Sequence, residues 1–178
     1  VFDNSRSKAT NFVKTLLYRH YQSSDGDQPR FENADALVSF LFTQQPAFEE
    51  FVRSVEGVPR DALNLAAKLA TKGFGQKLAM THVRAAALDW YQQDKAAAIR
   101  SDVRLTNFLT HIIDTVIGTR KARAFLFRSN TRNEEIDRLF DARLLHILKK
   151  SISSHDRAGE RFDVYKIDYG CYVDLINT

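Results

Sequence analysis

Apolar residues recur at intervals of three and four through most of this chain, the spacing that lines one face of a helix. Phe12, Val13, Leu16, Leu17 and His20 predict an amphipathic helix over Lys8 to Tyr21, with Asn4, Ser5 and Ser7 available as caps. Ser23 to Pro29 contains turn-forming residues and little that is apolar, so it reads as a loop. A second helix starts at Asn33 and carries Ala36, Leu37, Phe40 and Leu41. Pro46 opens a third with Phe48, Phe51, Val52 and Val55. Gly57 and Pro59 introduce a fourth, whose stripe is Leu63, Ala66, Ala67 and Ala70, whose Leu63, Leu65 and Leu69 are expected to contribute to packing, and which Gly73-Phe74-Gly75 ends. Thr81 caps a fifth, bearing Val83, Ala87, Leu88, Trp90 and Tyr91. Five helices without a persuasive strand predict a helical bundle over residues 1-98.

Ala96 to Asp102 is a polar, alanine-bearing connector, and it places a boundary before a second domain at residues 99-178. Leu105, Phe108, Leu109, Ile112, Ile113, Val116 and Ile117 then predict a buried helix ending at Gly118. The period changes at Ala122 to Phe127, which suits a strand. Thr131-Arg132-Asn133-Glu134 has the form of a capping box and opens a helical region with Ile136, Leu139, Phe140, Leu144, Leu145, Ile147 and Leu148. Extended structure resumes at Ser151, turns across His155 to Glu160, and continues over Asp163 to Leu175. There Tyr165, Ile167, Tyr169, Cys171, Val173 and Leu175 share one face.

Composition narrows the function classes. The chain has 178 residues, 44% of them hydrophobic, enough to bury a real core. The formal charge of +4 permits an anionic partner without requiring one. One cysteine, Cys171, allows no internal disulfide, and no apolar run is long enough to span a membrane. The expectation is a cytoplasmic protein without a membrane partner. The five histidines are scattered without metal-ligand spacing, and no catalytic constellation is present. No Gly-x-x-x-x-Gly-Lys-Ser/Thr loop or acid-ending strand occurs, so this chain is expected to hydrolyse no ATP by itself. Its opening at Val1-Phe2-Asp3, without an initiator methionine, suggests a portion of a longer protein.

The turn Gly57-Val58-Pro59-Arg60 followed by an Ala/Leu helix resembles the sensor-2 motif of AAA+ ATPases. With short helices and a closing helix that starts at Met80-Thr81-His82-Val83-Arg84 it is similar to the lid of that family over roughly residues 31 to 95. The later order of helix, strand, helices, strand, turn and strand resembles a winged helix. Together they resemble the carboxyl-terminal region of origin-recognition-type and STAND-type P-loop ATPases. The implied fold class is mainly α: a helical AAA+ lid-type bundle, then a winged-helix domain with a small β-hairpin wing. The resemblance implies that Arg60 senses the γ-phosphate of ATP, held with magnesium by a core preceding Val1.

A winged helix implies duplex DNA as a partner, bound weakly and without sequence preference. The candidate contacts are Arg143, Lys149 and Lys150 on the helix before the wing, and Arg157, Arg161 and Lys166 on the wing. The Asp141 to Lys150 segment is mostly apolar, which argues against base readout. The alternative is a winged helix that binds a protein partner or oligomerises without touching DNA. Charged hairpin tips are ordinarily solvated, and Cys171 and Trp90 are read as packing residues.

Overall fold

The computed structural model describes the backbone at residues 2–24, 30–154 and 157–177, and the side chains there except at 154, 157, 158, 176 and 177. Most of the expected loop at Ser23 to Pro29, and the hairpin tip at His155 and Asp156, lie outside the described residues. The protein is mainly helical with one small antiparallel sheet. It divides into two compact units, Val1–Asp89 and Trp90–Thr178, ahead of the polar connector.

The first unit consists of α1 (Arg6–Ser24), α2 (Ala34–Leu41), α3 (Gln45–Ser54), α4 (Pro59–Lys72) and α5 (Met80–Trp90), the last residue of which falls in the second unit. The Asn33 side chain accepts the Ala36 N–H at 2.9 Å and caps α2 as expected. At α5 the capping is reversed. The Ala79 N–H donates to His82 Nδ1 at 3.0 Å, so His82, rather than Thr81, satisfies the orphan donor at the helix start. α1 packs on α2, α3 and α4. Phe42, Phe48 and Phe51 form the aromatic centre, with ring centroids 5.2 to 6.4 Å apart. Glu50, nearly buried, takes Arg53 at 2.5 Å and Arg84 at 3.3 Å, which ties α3 to α5.

The buried stripe of α4 is Ala62, Leu65 and Leu69: the two leucines pack as expected, but the stripe of Leu63, Ala66, Ala67 and Ala70 does not. Leu63 is half-buried, and Ala67 and Ala70 are exposed. Alanines satisfy either phase of a helix, so an Ala-rich stretch does not reveal which side faces the core. Two leucines decide it.

The second unit begins with a π-helical turn, Tyr91–Lys95, and a 3-10 turn, Ala97–Ile99. α6 (Val103–Ile113) follows and widens into a second π-helical segment, Asp114–Thr119. Then come β1 (Ala124–Arg128), α7 (Glu134–Asp141), β2 (Leu145–Ser154), β3 (Arg157–Ile167) and α8 (Tyr169–Asn177). The strands pair in the order β1-β3-β2, both pairs antiparallel.

Three expectations are corrected here. The cap of α7 is Asn133, whose side chain accepts the Ile136 N–H at 2.8 Å, not Thr131. The helix expected from Asp141 to Lys150 is absent, because α7 closes at Asp141. The Arg143 N–H bonds to the Phe140 carbonyl and the Leu144 N–H to the Leu139 carbonyl, with Arg143 at φ 61° in the left-handed position glycine usually takes. The strand expected through Leu175 ends at Ile167, and Tyr169 begins α8.

Leu65→Ala or Leu69→Ala is expected to destabilise the first unit by about 2 to 5 kcal/mol, against less than about 0.5 kcal/mol for Ala67→Ser. Chemical denaturation followed by circular dichroism measures both. Comparable losses at all three positions would contradict the helix phase.

Candidate functional site

Arg60 stands in the first turn of α4, after Val58 as N-cap and Pro59 as the first helical residue. The chain enters this turn through two consecutive left-handed residues, Glu56 at φ 55° and Gly57 at φ 78°. Only glycine adopts such a conformation without a Cβ penalty, so the pair reverses the chain sharply after α3. The turn inverts the ordinary preference, burying Glu56 and Asp61 and leaving Arg60 exposed between them. No described residue forms a hydrogen bond or ion pair with the Arg60 side chain. A groove of about 380 Å³, lined in part by Lys8, Phe12 and Val52, opens beside Gly57.

The candidate nucleic-acid contacts separate into those available and those committed elsewhere. Lys149, Lys150 and Arg161 are exposed on the β2–β3 hairpin. Lys149 and Lys150 lie on a strand, not on a recognition helix. The Arg161 guanidinium donates to the Ser151 carbonyl at 3.1 Å and to Ser153 Oγ at 3.2 Å, which fixes it along its own hairpin. The Arg157 backbone pairs with Ser154, while its side chain lies outside the described residues. Arg143 lies over the Trp90 ring at 5.7 Å from its centroid. Lys166, only 3% exposed, points into the unit and is withdrawn from any phosphate.

The hairpin is irregular where its cations stand. Its register shifts between Ile147 and Lys149 and again between Lys149 and Ile152, and Ser151 has φ 52°. Asp163 holds this bulge by accepting the Ser151 N–H at 2.8 Å and the Ser129 hydroxyl at 2.6 Å. Those bonds keep its carboxyl below the usual carboxylate range. Bulges re-aim side chains, and this one sets the direction of Lys149 and Lys150. β1 pairs with β3 only between Phe162 and Lys166, so the rest of the hairpin extends beyond the three-stranded part of the sheet.

Sequence reasoning missed a buried charge cluster in the second unit. Asp168 Oδ2 accepts Lys95 Nζ at 2.6 Å and lies 2.9 Å from His146 Nε2, with all three side chains nearly inaccessible. Its other oxygen accepts the Gly170 N–H at 2.9 Å and so caps α8. Burial alone would raise this carboxyl, yet the Lys95 charge and the His146 contact overcome it and hold it well below the usual carboxylate range. The π-helical turn brings Lys95 inward, and the same turn carries Tyr91 against Gly170. A Cβ at Gly170 would lie 2.3 Å from Tyr91 Cβ, so glycine alone fits. Burial likewise pushes the Tyr91 phenol and the Cys171 thiol upward, which leaves Cys171 an inert core residue. The signal available in the sequence was Asp168 directly before apolar residues at helical spacing, Tyr169, Tyr172 and Val173.

Among the described residues no cluster of histidine, cysteine or carboxylate side chains could hold a metal ion, and no helix is long and apolar enough to cross a membrane. No protein-family model, curated protein or solved structure matches this chain.

Asp168→Asn is expected to destabilise the second unit by about 3 to 5 kcal/mol, because it leaves Lys95 buried without a counter-charge. Adding Lys95→Met should recover part of that loss, giving a less than additive double-mutant cycle. Because the folded Asp168 carboxyl is depressed, its contribution is full above the unfolded value near about 3.9 and declines as pH falls from there toward the folded value. Urea unfolding of the variants from pH 7 downward measures both effects; strict additivity would contradict the coupling.

Proposed function

We propose that this chain is the nucleotide-sensing lid and winged-helix module of a larger P-loop ATPase, coupling nucleotide state to a bound partner. The observation that carries the reading is Arg60, a cation without a described partner, fixed by the Glu56-Gly57 reversal and Pro59 at the start of α4. The rigid turn leaves the guanidinium free to pair with an external anion, and planar bidentate donors suit a phosphate. ATP and magnesium would be held by a core outside these residues, and Arg60 would report the γ-phosphate through a movement of the helical bundle. The order α6, β1, α7, β2, β3 with strand order β1-β3-β2 supports the winged-helix reading of the second unit. The missing second helix of a helix-turn-helix sets it apart from modules that read bases with a recognition helix.

In this reading the hairpin is the wing. Lys149, Lys150 and Arg161 contact phosphates of duplex DNA, without sequence preference because they stand on a strand hairpin and not on a recognition helix. One observation favours a protein partner instead. α7, the only described helix between β1 and β2, exposes Glu134, Asp137 and Asp141, which phosphates would repel.

In the longer ATPase, Arg60→Ala should lower ATP hydrolysis at least about tenfold while thermal unfolding stays unchanged, since an exposed side chain contributes little to the core. An unchanged rate would overturn the sensing role.

For this chain, fluorescence anisotropy at two salt concentrations should give duplex affinities of roughly 10⁻⁴ to 10⁻⁶ M that fall with salt. Lys149→Ala with Lys150→Ala should flatten the salt slope by about one unit per lost contact, equally on unrelated sequences. No binding at low salt would remove DNA and leave the protein-partner reading in front.

A further inference from the structure

The two edges of the sheet are built differently. β2 carries three register shifts against β3 and the exposed Lys149 and Lys150, features that discourage pairing with a further strand. β1 has neither. It reads Ala-Phe-Leu-Phe-Arg, pairs in unbroken register with β3 on one side, and leaves Leu126 50% exposed.

The hydrogen bonds show which backbone groups face outward. The Ile167 N–H donates to the Arg123 carbonyl at 2.9 Å, and the Ser129 N–H to the Arg161 carbonyl at 2.9 Å. Bonded residues alternate along an antiparallel strand, so Arg123, Phe125, Phe127 and Ser129 direct their N–H and C=O groups toward β3. Ala124, Leu126 and Arg128 direct theirs away. The Arg128 carbonyl accepts the Thr131 N–H at 3.2 Å, and no described residue bonds to the outward groups of Ala124 or Leu126.

Charge identifies what fits there. From Thr115 to Asn133 the chain contains no acidic residue, while Arg120, Lys121, Arg123, Arg128 and Arg132 are all exposed. Arg123 is stacked over the Tyr172 ring at 3.7 Å, and Arg128 is paired with Glu160 at 2.9 Å. Arg120, Lys121 and Arg132 have no ion-pair partner among the described residues.

We propose that the outer edge of β1 is a docking site for an extended, acidic segment of a partner protein, which adds as a further strand. The Ala124 and Leu126 backbone groups supply main-chain hydrogen bonds, the exposed Leu126 side chain meets an apolar residue, and the flanking cations meet alternate carboxylates. The inference is independent of the nucleotide-sensing reading. Backbone pairing at an edge separates it from nucleic-acid binding, which has no use for outward N–H and C=O groups arranged as a ladder.

The test uses the whole chain and a short synthetic peptide alternating valine and glutamate, a second peptide of the same sequence N-methylated at alternate amides, and a short DNA duplex. The unmethylated peptide should bind, slow amide exchange at Leu126, and lose about tenfold in affinity on N-methylation or with Arg120→Glu plus Lys121→Glu. Leu126→Pro should weaken it similarly, because it removes a donor that faces away from β3 and leaves the β1–β3 ladder intact. If that variant does not fold, the N-methylated peptide on the unaltered chain gives the same decision. Equal affinity for the two peptides, no peptide binding at low salt, or protection of Leu126 by the duplex and not by the peptide would each overturn the proposal.

Discussion

The second unit depends on one carboxylate oxygen. Asp168 Oδ2 joins Lys95 from the π-helical turn and His146 from β2, while Oδ1 caps α8. Four parts of the unit therefore meet at a group that water does not reach. Removing two charges from water costs several kcal/mol per ion, and only close geometry with every lone pair engaged offsets it. Lys166 lies beside His146 in the neighbouring strand, so the interior already holds a second buried amine. Such an arrangement favours a single packing of α8 and the π turn, because any slip strands a charge.

The sequence made some elements plain and concealed others for physical reasons. α3 and α6 were legible because Phe48, Phe51 and Val52, or Leu105, Leu109 and Ile112, are large and all buried on one phase. α4 was phased only in part, with Leu65 and Leu69 packed as expected, because alanines occupy both of its sides. β2 resembled a helix because its bulges interrupt the period of two, so Leu144, Leu145, Ile147 and Leu148 fall at spacings that a helix also produces. No glycine marks the end of α7, since Arg143 takes the left-handed position itself. α8 resembled a strand because Tyr169, Cys171 and Val173 alternate, while in the helix Tyr169, Gly170, Cys171 and Val173 are all buried.

Candidate sites were legible where a backbone constraint exposes the side chain, and illegible where burial removes it. Arg60 could be placed because Gly57 and Pro59 fix the start of its helix. Strand alternation sets Lys166 on the face opposite Tyr165 and Ile167, but Phe162, Tyr165, Lys166 and Ile167 are all buried, so only the fold shows that Lys166 is inward. His146 and Lys95 are distant in sequence and share no spacing with Asp168, so no motif joins them. Within the second unit, the exposed Lys149, Lys150 and Arg161 lie on the bulged hairpin, and Arg120, Lys121 and Arg132 lie in the segments flanking β1.

The central proposal is that the start of α4 responds to a nucleotide's terminal phosphate. The Arg60 and Asp61 N–H groups belong to the first helical turn and have no intrahelical acceptor, so their exchange with solvent reports directly on that turn. Hydrogen–deuterium exchange of the longer ATPase, compared between a non-hydrolysable ATP analogue and ADP, is the most direct measurement. Slower exchange across Arg60 to Leu63 with the triphosphate alone is the predicted result. Identical exchange in the two nucleotide states, with the nucleotide bound in both, would contradict it.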